Sequence, residues 1–222
     1  DPIRTNEVNV TGTLNLLEAC RKNKVPRVVL ASSSSVYGNV EADVKHEGLG
    51  LDPCSPYAAQ KLATETLAKV YTGTMGVGTI PLRYFNVFGP YQDPQSDYAA
   101  VSPAFVHRML RGQSPVIFGD GLQSRDFTFV GDVVAANIAA MNAPDSACGR
   151  PYNIACGHRT SLLDLVEQLN RVLVTSLAPE HQDGRAGDVK HSLADISRAK
   201  EVLSWQPQVS FEEGLRRTVE WI

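Results

Sequence analysis

Tyr57 and Lys61 are four residues apart, and Ser55-Pro56 stand directly before them. A serine N-cap followed by proline at the first helical position starts a helix there. Tyr57 and Lys61 then share one helix face. Tyr57 falls in the first turn, where unsatisfied backbone amides favour a phenolate. Lys61 adds a cation beside it, which acts in the same direction. A tyrosine held this way can serve as a general base. The spacing is common, and a half-buried tyrosine beside a solvated lysine also fits it.

Ser33 changes the weighting. It belongs to the run Ser32 to Ser35, just past the apolar stretch Arg27-Val28-Val29-Leu30-Ala31. A short, wholly apolar stretch suits a strand buried on both faces of a parallel sheet. Doubly wound folds bind ligands beyond the carboxyl ends of such strands. A serine hydroxyl there can exchange a hydrogen bond with a substrate hydroxyl, although a serine-rich turn is the plainer reading. Asn86 follows the next apolar stretch, residues 79–85, at the equivalent end. Three polar features thus converge on one crevice. Arg125 and Arg185 suit bidentate phosphate recognition, and Asp188 can accept from a ribose. Each of these three alone reads as a surface charge. His46, His107, His158, His181 and His191 show no metal-ligand spacing, so no metal is expected.

The elements that position these residues follow from periodicity. Val10, Leu14, Leu17 and Cys20 recur near a 3.6-residue period, which predicts a helix over 6–24. The Tyr57 helix runs to about Met75 and closes at Gly76 and Gly78. Residues 79–85 read as the next strand, with Pro81 a mark against regularity. Alternating helices and apolar strands predict an α/β chain with a parallel sheet. After Asn86 short elements dominate. Helices are expected over 101–110, 132–141, 161–173, 195–203 and 211–222, with Ser161 capping its helix, and a short strand over 151–155. A soft boundary falls near residue 86, with later segments returning to the sheet.

Composition narrows the function classes. The 222 residues are 43% hydrophobic and 20% charged, with a net charge of −3. That supports one sizeable core, or a core plus a smaller lobe. The absence of a basic excess argues against a nucleic-acid binder. No apolar stretch approaches the ~18 residues of a membrane span. The four cysteines show no CxxC pair, which fits reduced thiols in the cytoplasm.

Several segments together resemble the extended short-chain dehydrogenase/reductase family, specifically its NAD-dependent nucleotide-sugar epimerases and dehydratases. They are Asn9-Val10-Thr11-Gly12-Thr13-Leu14, Ala31-Ser32-Ser33-Ser34-Ser35-Val36-Tyr37-Gly38 and Ser55-Pro56-Tyr57-Ala58-Ala59-Gln60-Lys61. Leu82-Arg83-Tyr84-Phe85-Asn86-Val87-Phe88-Gly89-Pro90, Tyr98-Ala99-Ala100-Val101, and Gly119-Asp120-Gly121 through Arg125-Asp126-Phe127 continue the series. Gly187-Asp188-Val189 and Ala194-Asp195 close it.

The resemblance implies a Rossmann-type doubly wound parallel sheet with a smaller C-terminal substrate lobe. Residues 1–86 would be the later part of the NAD-binding domain, and 87–222 mainly the nucleotide-sugar lobe. Tyr57 would be the base, Lys61 would hold the nicotinamide ribose, and Ser33 would touch the reacting sugar hydroxyl. Asn9, Ser32 and Tyr84 would join Tyr57 and Lys61 at the cofactor. Ser34, Asn86, Ala100, Val101, Arg125, Arg185, Asp188 and Ser192 would line the UDP-sugar site with Ser33. The family's first strand and glycine loop do not occur in these residues. The chain is therefore expected to be a fragment of a longer protein, and not to bind NAD by itself. Family members dimerise through two helices, here the first helix and the Tyr57 helix, so the full-length protein is expected to be a homodimer.

The resemblance also ranks reactions. Family dehydratases carry an Asp-Glu pair within the serine-rich segment, and the decarboxylases a Ser-Glu-Val-Tyr version. Here that place is Ser34-Ser35. One base and one hydride acceptor suffice for 4-epimerisation of a UDP-sugar through a transient 4-keto sugar. Ser192 stands where related epimerases carry a tyrosine facing the sugar C2 substituent. That leaves room for an N-acetyl group, so UDP-GlcNAc/UDP-GalNAc is expected ahead of UDP-Glc/UDP-Gal. A nucleotide-sugar reductase or dehydratase, or an inactive fragment or scaffold, is the alternative.

Overall fold

The computed structural model describes residues 1–92, 101–184 and 190–222, without the side chains of Val101 and Ser102. Two compact units emerge. The first comprises Asp1–Phe85, Val134–Ile154 and Ala194–Gln206, and the second Asn86–Val133, Ala155–Leu193 and Pro207–Ile222.

The first unit begins with α1 (Pro2–Asn6), a π-helical segment (Glu7–Thr11) and α2 (Gly12–Lys22), one continuous helical run. Asp1 caps it by accepting from the Ile3 and Arg4 amides. The predicted apolar stripe is buried only at its lower end. Leu17 and Cys20 pack with Leu30, Ala68, Tyr71 and Val77, whereas Leu14 is 38% exposed. Higher up the contact is polar: Asn9 Nδ2 donates to Gln60 Oε1 at 3.0 Å, and Thr64 Oγ1 donates to the Asn9 carbonyl at 3.3 Å.

Strand β1 (Arg27–Ser33) leads into a 3-10 turn (Ser34–Tyr37). Gly38 ends that turn with φ +52°, and a Cβ there would stand 1.6 Å from the Asp52 carbonyl oxygen, so only glycine fits. Helix α3 (Pro56–Thr74) starts where Ser55 and Pro56 predict, with Ser55 Oγ accepting from the Ala58 amide. Strand β2 (Gly78–Tyr84) follows it. Among the described residues β1, β2 and β7 (Tyr152–Ile154) form a parallel sheet in the order β1-β2-β7.

Pro81 sits inside β2 without breaking it, contrary to the sequence expectation. The Thr79 carbonyl accepts from Gly149 N, and Phe85 N donates to the Ile154 carbonyl, so odd positions of β2 face β7. Pairing with β7 begins only at Leu82↔Tyr152. The missing N–H of Pro81 therefore falls just short of that ladder. Helices cover both faces. Arg83 meets α3 through Glu65, while its neighbour Tyr84 donates to Asn137 Oδ1 at 3.0 Å on α5 (Val130–Asn142). Helix α7 (Ser197–Leu203) completes this unit.

The second unit is built from short strands and three helices among its described residues. Strand β3 (Val87–Phe88) pairs in parallel with β6 (Thr128–Phe129), and β4 (Val116–Phe118) with β9 (Glu180–Gln182). Strand β5 (Ser124–Arg125) pairs antiparallel with β8 (Thr160–Ser161). Helices α4 (Val101–Leu110), α6 (Leu162–Leu173) and α8 (Phe211–Trp221) enclose a core that includes Phe88, Phe105, Ile117, Phe127, Leu165 and Leu215. Ser161 and Asp164 form a reciprocal capping box at the start of α6.

Candidate active site

The Tyr57 face of α3 is tied to the carboxyl end of β1. Lys61 Nζ donates to the Ala31 carbonyl at 3.0 Å. It also lies 5.7 Å from the centroid of the Tyr57 ring, within cation–π range. Tyr57 is the second residue of α3 and 43% exposed, so its ring is open to a ligand. Burial holds the Lys61 ammonium below the usual lysine range. Ser33 ends β1 and is the register partner of Tyr84 at the end of β2. Ser33 Oγ accepts from the Ser35 amide at 3.2 Å and starts the 3-10 turn. Ser34 is the first residue of that turn.

The structure sets Ser32 apart from its neighbours. Strand alternation turns it to the opposite face from Ser33. It is 3% exposed, and its Oγ donates to Glu65 Oε1 at 2.5 Å. Asn9 lies in the π-helical segment with its amide engaged by Gln60. Burial raises the Tyr84 phenol above its ordinary range.

In the second unit Arg125 and Ser192 are brought together on one acceptor. The Ser124 carbonyl receives Arg125 Nη1 at 2.9 Å and the Ser192 amide at 3.1 Å. Ser124 Oγ and His191 Nδ1 are 2.9 Å apart beside them. Asn86 precedes β3, and its carbonyl accepts from Thr128 N at 3.0 Å. Asp126, next to Arg125, is fully buried and accepts from the amides of Cys156 and Gly157 at 2.8 and 3.0 Å. Ala100, Arg185 and Asp188 lie outside the described residues, as does the side chain of Val101.

The sequence reading missed a buried ion pair behind this site. Arg83 donates from Nε and Nη2 to Glu65 at 2.9 and 2.7 Å. Glu65 falls eight residues after Tyr57 on the same helix face, and that spacing is the only local signal for it.

The residues present suit one end of a nicotinamide dinucleotide. A phenol, an ammonium and a serine hydroxyl at the carboxyl end of a parallel sheet form a donor set for ribose and substrate hydroxyls. The glycine-rich loop that cradles a pyrophosphate does not occur in these 222 residues.

Comparison with known proteins agrees with that chemistry. The profile of the NAD dependent epimerase/dehydratase family matches residues 1–155. The UDP-glucose 4-epimerase of Mycolicibacterium smegmatis is 39% identical over 222 residues, covering 100% of this chain and 70% of that protein. The UDP-glucuronate 4-epimerase of Thermodesulfobacterium geofontis is 38% identical over 215 residues, covering 96% of this chain and 64% of that protein. A solved UDP-N-acetylglucosamine 4-epimerase from Methanobrevibacter ruminantium, in complex with UDP-N-acetylmuramic acid, matches with a TM-score of 0.95 and 42% identity. It is covered over 70% of its chain by 100% of this one.

Proposed function

The chain belongs to the NAD dependent epimerase/dehydratase family, and from that premise we propose that it forms part of a UDP-sugar 4-epimerase. The observation that carries the reading is the Lys61 ammonium, anchored on the Ala31 carbonyl beside the Tyr57 ring at the carboxyl end of β1. Tyr57 Oη takes the proton from the sugar C4 hydroxyl and later returns it. Lys61 binds the nicotinamide ribose through its ammonium donors. Ser33 Oγ hydrogen-bonds the oxygen at C4 and orients it toward Tyr57. NAD, held at Tyr57 and Lys61, would supply the hydride acceptor and donor for this chemistry. Asn9 and Tyr84 flank the cofactor, and Ser34 the sugar. In the second unit, Arg125 pairs with the diphosphate, with Asn86 beside it. The two serines at positions 34 and 35 supply no carboxylate for dehydration.

The N-acetylhexosamine pair, UDP-GlcNAc and UDP-GalNAc, is the preferred substrate in this reading, because Ser192 leaves room at C2. The exposed Leu14 and Leu16 of α2 and Val70 of α3 are in keeping with pairing of these helices in a homodimer. The test is incubation of the full-length protein with each UDP-sugar, followed by NMR of the products. The 4-epimer is expected without net consumption of NAD. A 4-keto-6-deoxy product, or stoichiometric use of NAD(P)H, would overturn the reading.

A further inference from the structure

Glu65 lies one helical turn beyond Lys61 and two beyond Tyr57, on the same face of α3. Its carboxylate is buried and fully engaged. Ser32 Oγ and Arg83 Nε donate to Oε1 at 2.5 and 2.9 Å, and Arg83 Nη2 donates to Oε2 at 2.7 Å. Ser32, Arg83 and Asn153 are register partners across β1, β2 and β7, so their side chains form one row on a single sheet face. The Arg83 guanidinium lies 4.8 Å from the Tyr37 ring centroid, and Tyr37 Oη donates to Asn153 Oδ1 at 2.8 Å. One carboxylate thus joins the helix bearing Tyr57 and Lys61 to the strands bearing Ser33 and Tyr84.

Stability does not account for such a pair. Replacing a buried ion pair with apolar groups of similar volume is often neutral or stabilising. Arg83 also keeps one buried nitrogen, Nη1, without a hydrogen-bond partner. Burial pulls the guanidinium down, and the hydrogen bonds and charge of Glu65 more than offset this, leaving Arg83 raised. What directed bonds add is geometry. Three bonds converging on one carboxylate break when the helix slides or rotates, whereas apolar contacts tolerate small shifts.

We propose that Glu65 is a positioning residue: through Ser32 and Arg83 it fixes the height and rotation of α3 over β1, so that Lys61 reaches the Ala31 carbonyl and Tyr57 is presented at the end of the strand that carries Ser33. The inference rests on the roles given to Tyr57 and Lys61 above.

The test uses the full-length protein carrying Glu65→Leu together with Arg83→Met, which removes both charges and refills the space. The expected variant folds with a Tm at or above that of the parent. Its KM for the UDP-sugar stays within about threefold, while kcat falls by about 10²-fold. Its crystal structure should show Lys61 Nζ withdrawn from the Ala31 carbonyl. A folded double variant that keeps kcat within about threefold, or that keeps the 3.0 Å contact, overturns the proposal. Ser32→Ala removes one of the three bonds and no charge, and guards against a double variant that fails to fold. Its kcat should fall about tenfold with KM unchanged, and an unchanged kcat overturns the proposal equally. If the parent epimerises no UDP-sugar, the functional reading fails, while the crystallographic comparison still decides whether Glu65 sets the position of Lys61.

Discussion

Lys61 Nζ is hydrogen-bonded at 3.0 Å to the carbonyl oxygen of Ala31, two residues before Ser33 on the same strand. A lysine four residues from a tyrosine is free, in sequence terms, to point into solvent. Here a backbone acceptor on the neighbouring strand holds it, and its orientation is set by the sheet.

Tyr57→Phe removes the proposed base and leaves the ring to pack as before. The full-length variant should keep its fold and lose about 10²- to 10⁴-fold in kcat. Turnover within about threefold of the parent would exclude Tyr57 Oη as the base.

The half-buried Lys61 links stability to pH. Its folded pKa lies below the ordinary value of 10.5. Between the two values the unfolded chain binds more protons than the folded one, so stability rises with pH in that window. In thermal unfolding scans the Tm of the parent minus that of Lys61→Met should grow as pH rises toward 10.5, while the raised Cys156 thiol and Tyr84 phenol pull Tm down in both proteins. Lys45, also lowered by burial, contributes to both proteins, so the difference reports Lys61. Equal slopes would mean that Lys61 is as well hydrated in the fold as out of it.

Ser192→Tyr should act on substrate choice. An added ring in a packed site costs about 1–3 kcal/mol. The N-acetylated pair should therefore lose about 5- to 150-fold in kcat/KM relative to UDP-Glc/UDP-Gal. Equal losses on both pairs would show that Ser192 does not gate the C2 substituent.

The cysteines should differ sharply in reactivity. Burial, then the charges of Asp126 and Asp132, push the Cys156 thiol up to about 12. Cys54 is exposed. A thiol-specific disulfide reagent at about pH 8 should modify Cys54 first and reach Cys156 only on unfolding. Mass spectrometry that finds Cys156 labelled in the native protein as fast as Cys54 would contradict this environment.

Helix starts are legible in this sequence because their chemistry is local. Ser55 and Pro56, or Ser161 and Asp164, satisfy orphan amides within three residues. The strands Arg27–Ser33 and Gly78–Tyr84 are legible from their apolar content, but only Gly78–Tyr84 is buried along its length as expected; β1, last in the sheet order among the described residues, buries Leu30 and Ser32 and exposes Ala31. Strand β9, Glu-His-Gln with every residue exposed, offers no alternation to read, since its pairing with β4 is decided by the backbone alone. At the candidate site, Tyr57 and Lys61 declare themselves by spacing. The roles of Ser32 and Ser33 do not, because adjacent serines on a strand face opposite ways and only the register says which is buried. Glu65 and Arg83 are eighteen residues apart and become partners only once helix and sheet are packed.

The π-helical segment at Glu7–Thr11 accommodates an extra residue in the first helical run. Since each α-helical residue advances the face by about 100°, a one-residue deletion in that segment would relax the wide turn into an ordinary one. Residues 1–6 would then swing through roughly that angle about the axis, while α2 kept its seat. The Asn9 carbonyl, which accepts from both Thr13 and Thr64, would return to the regular backbone ladder. The wide turn therefore acts as a phase adjuster: it sets the rotation of residues 1–6 about the helix axis independently of the seat of Leu17 and Cys20 in the core.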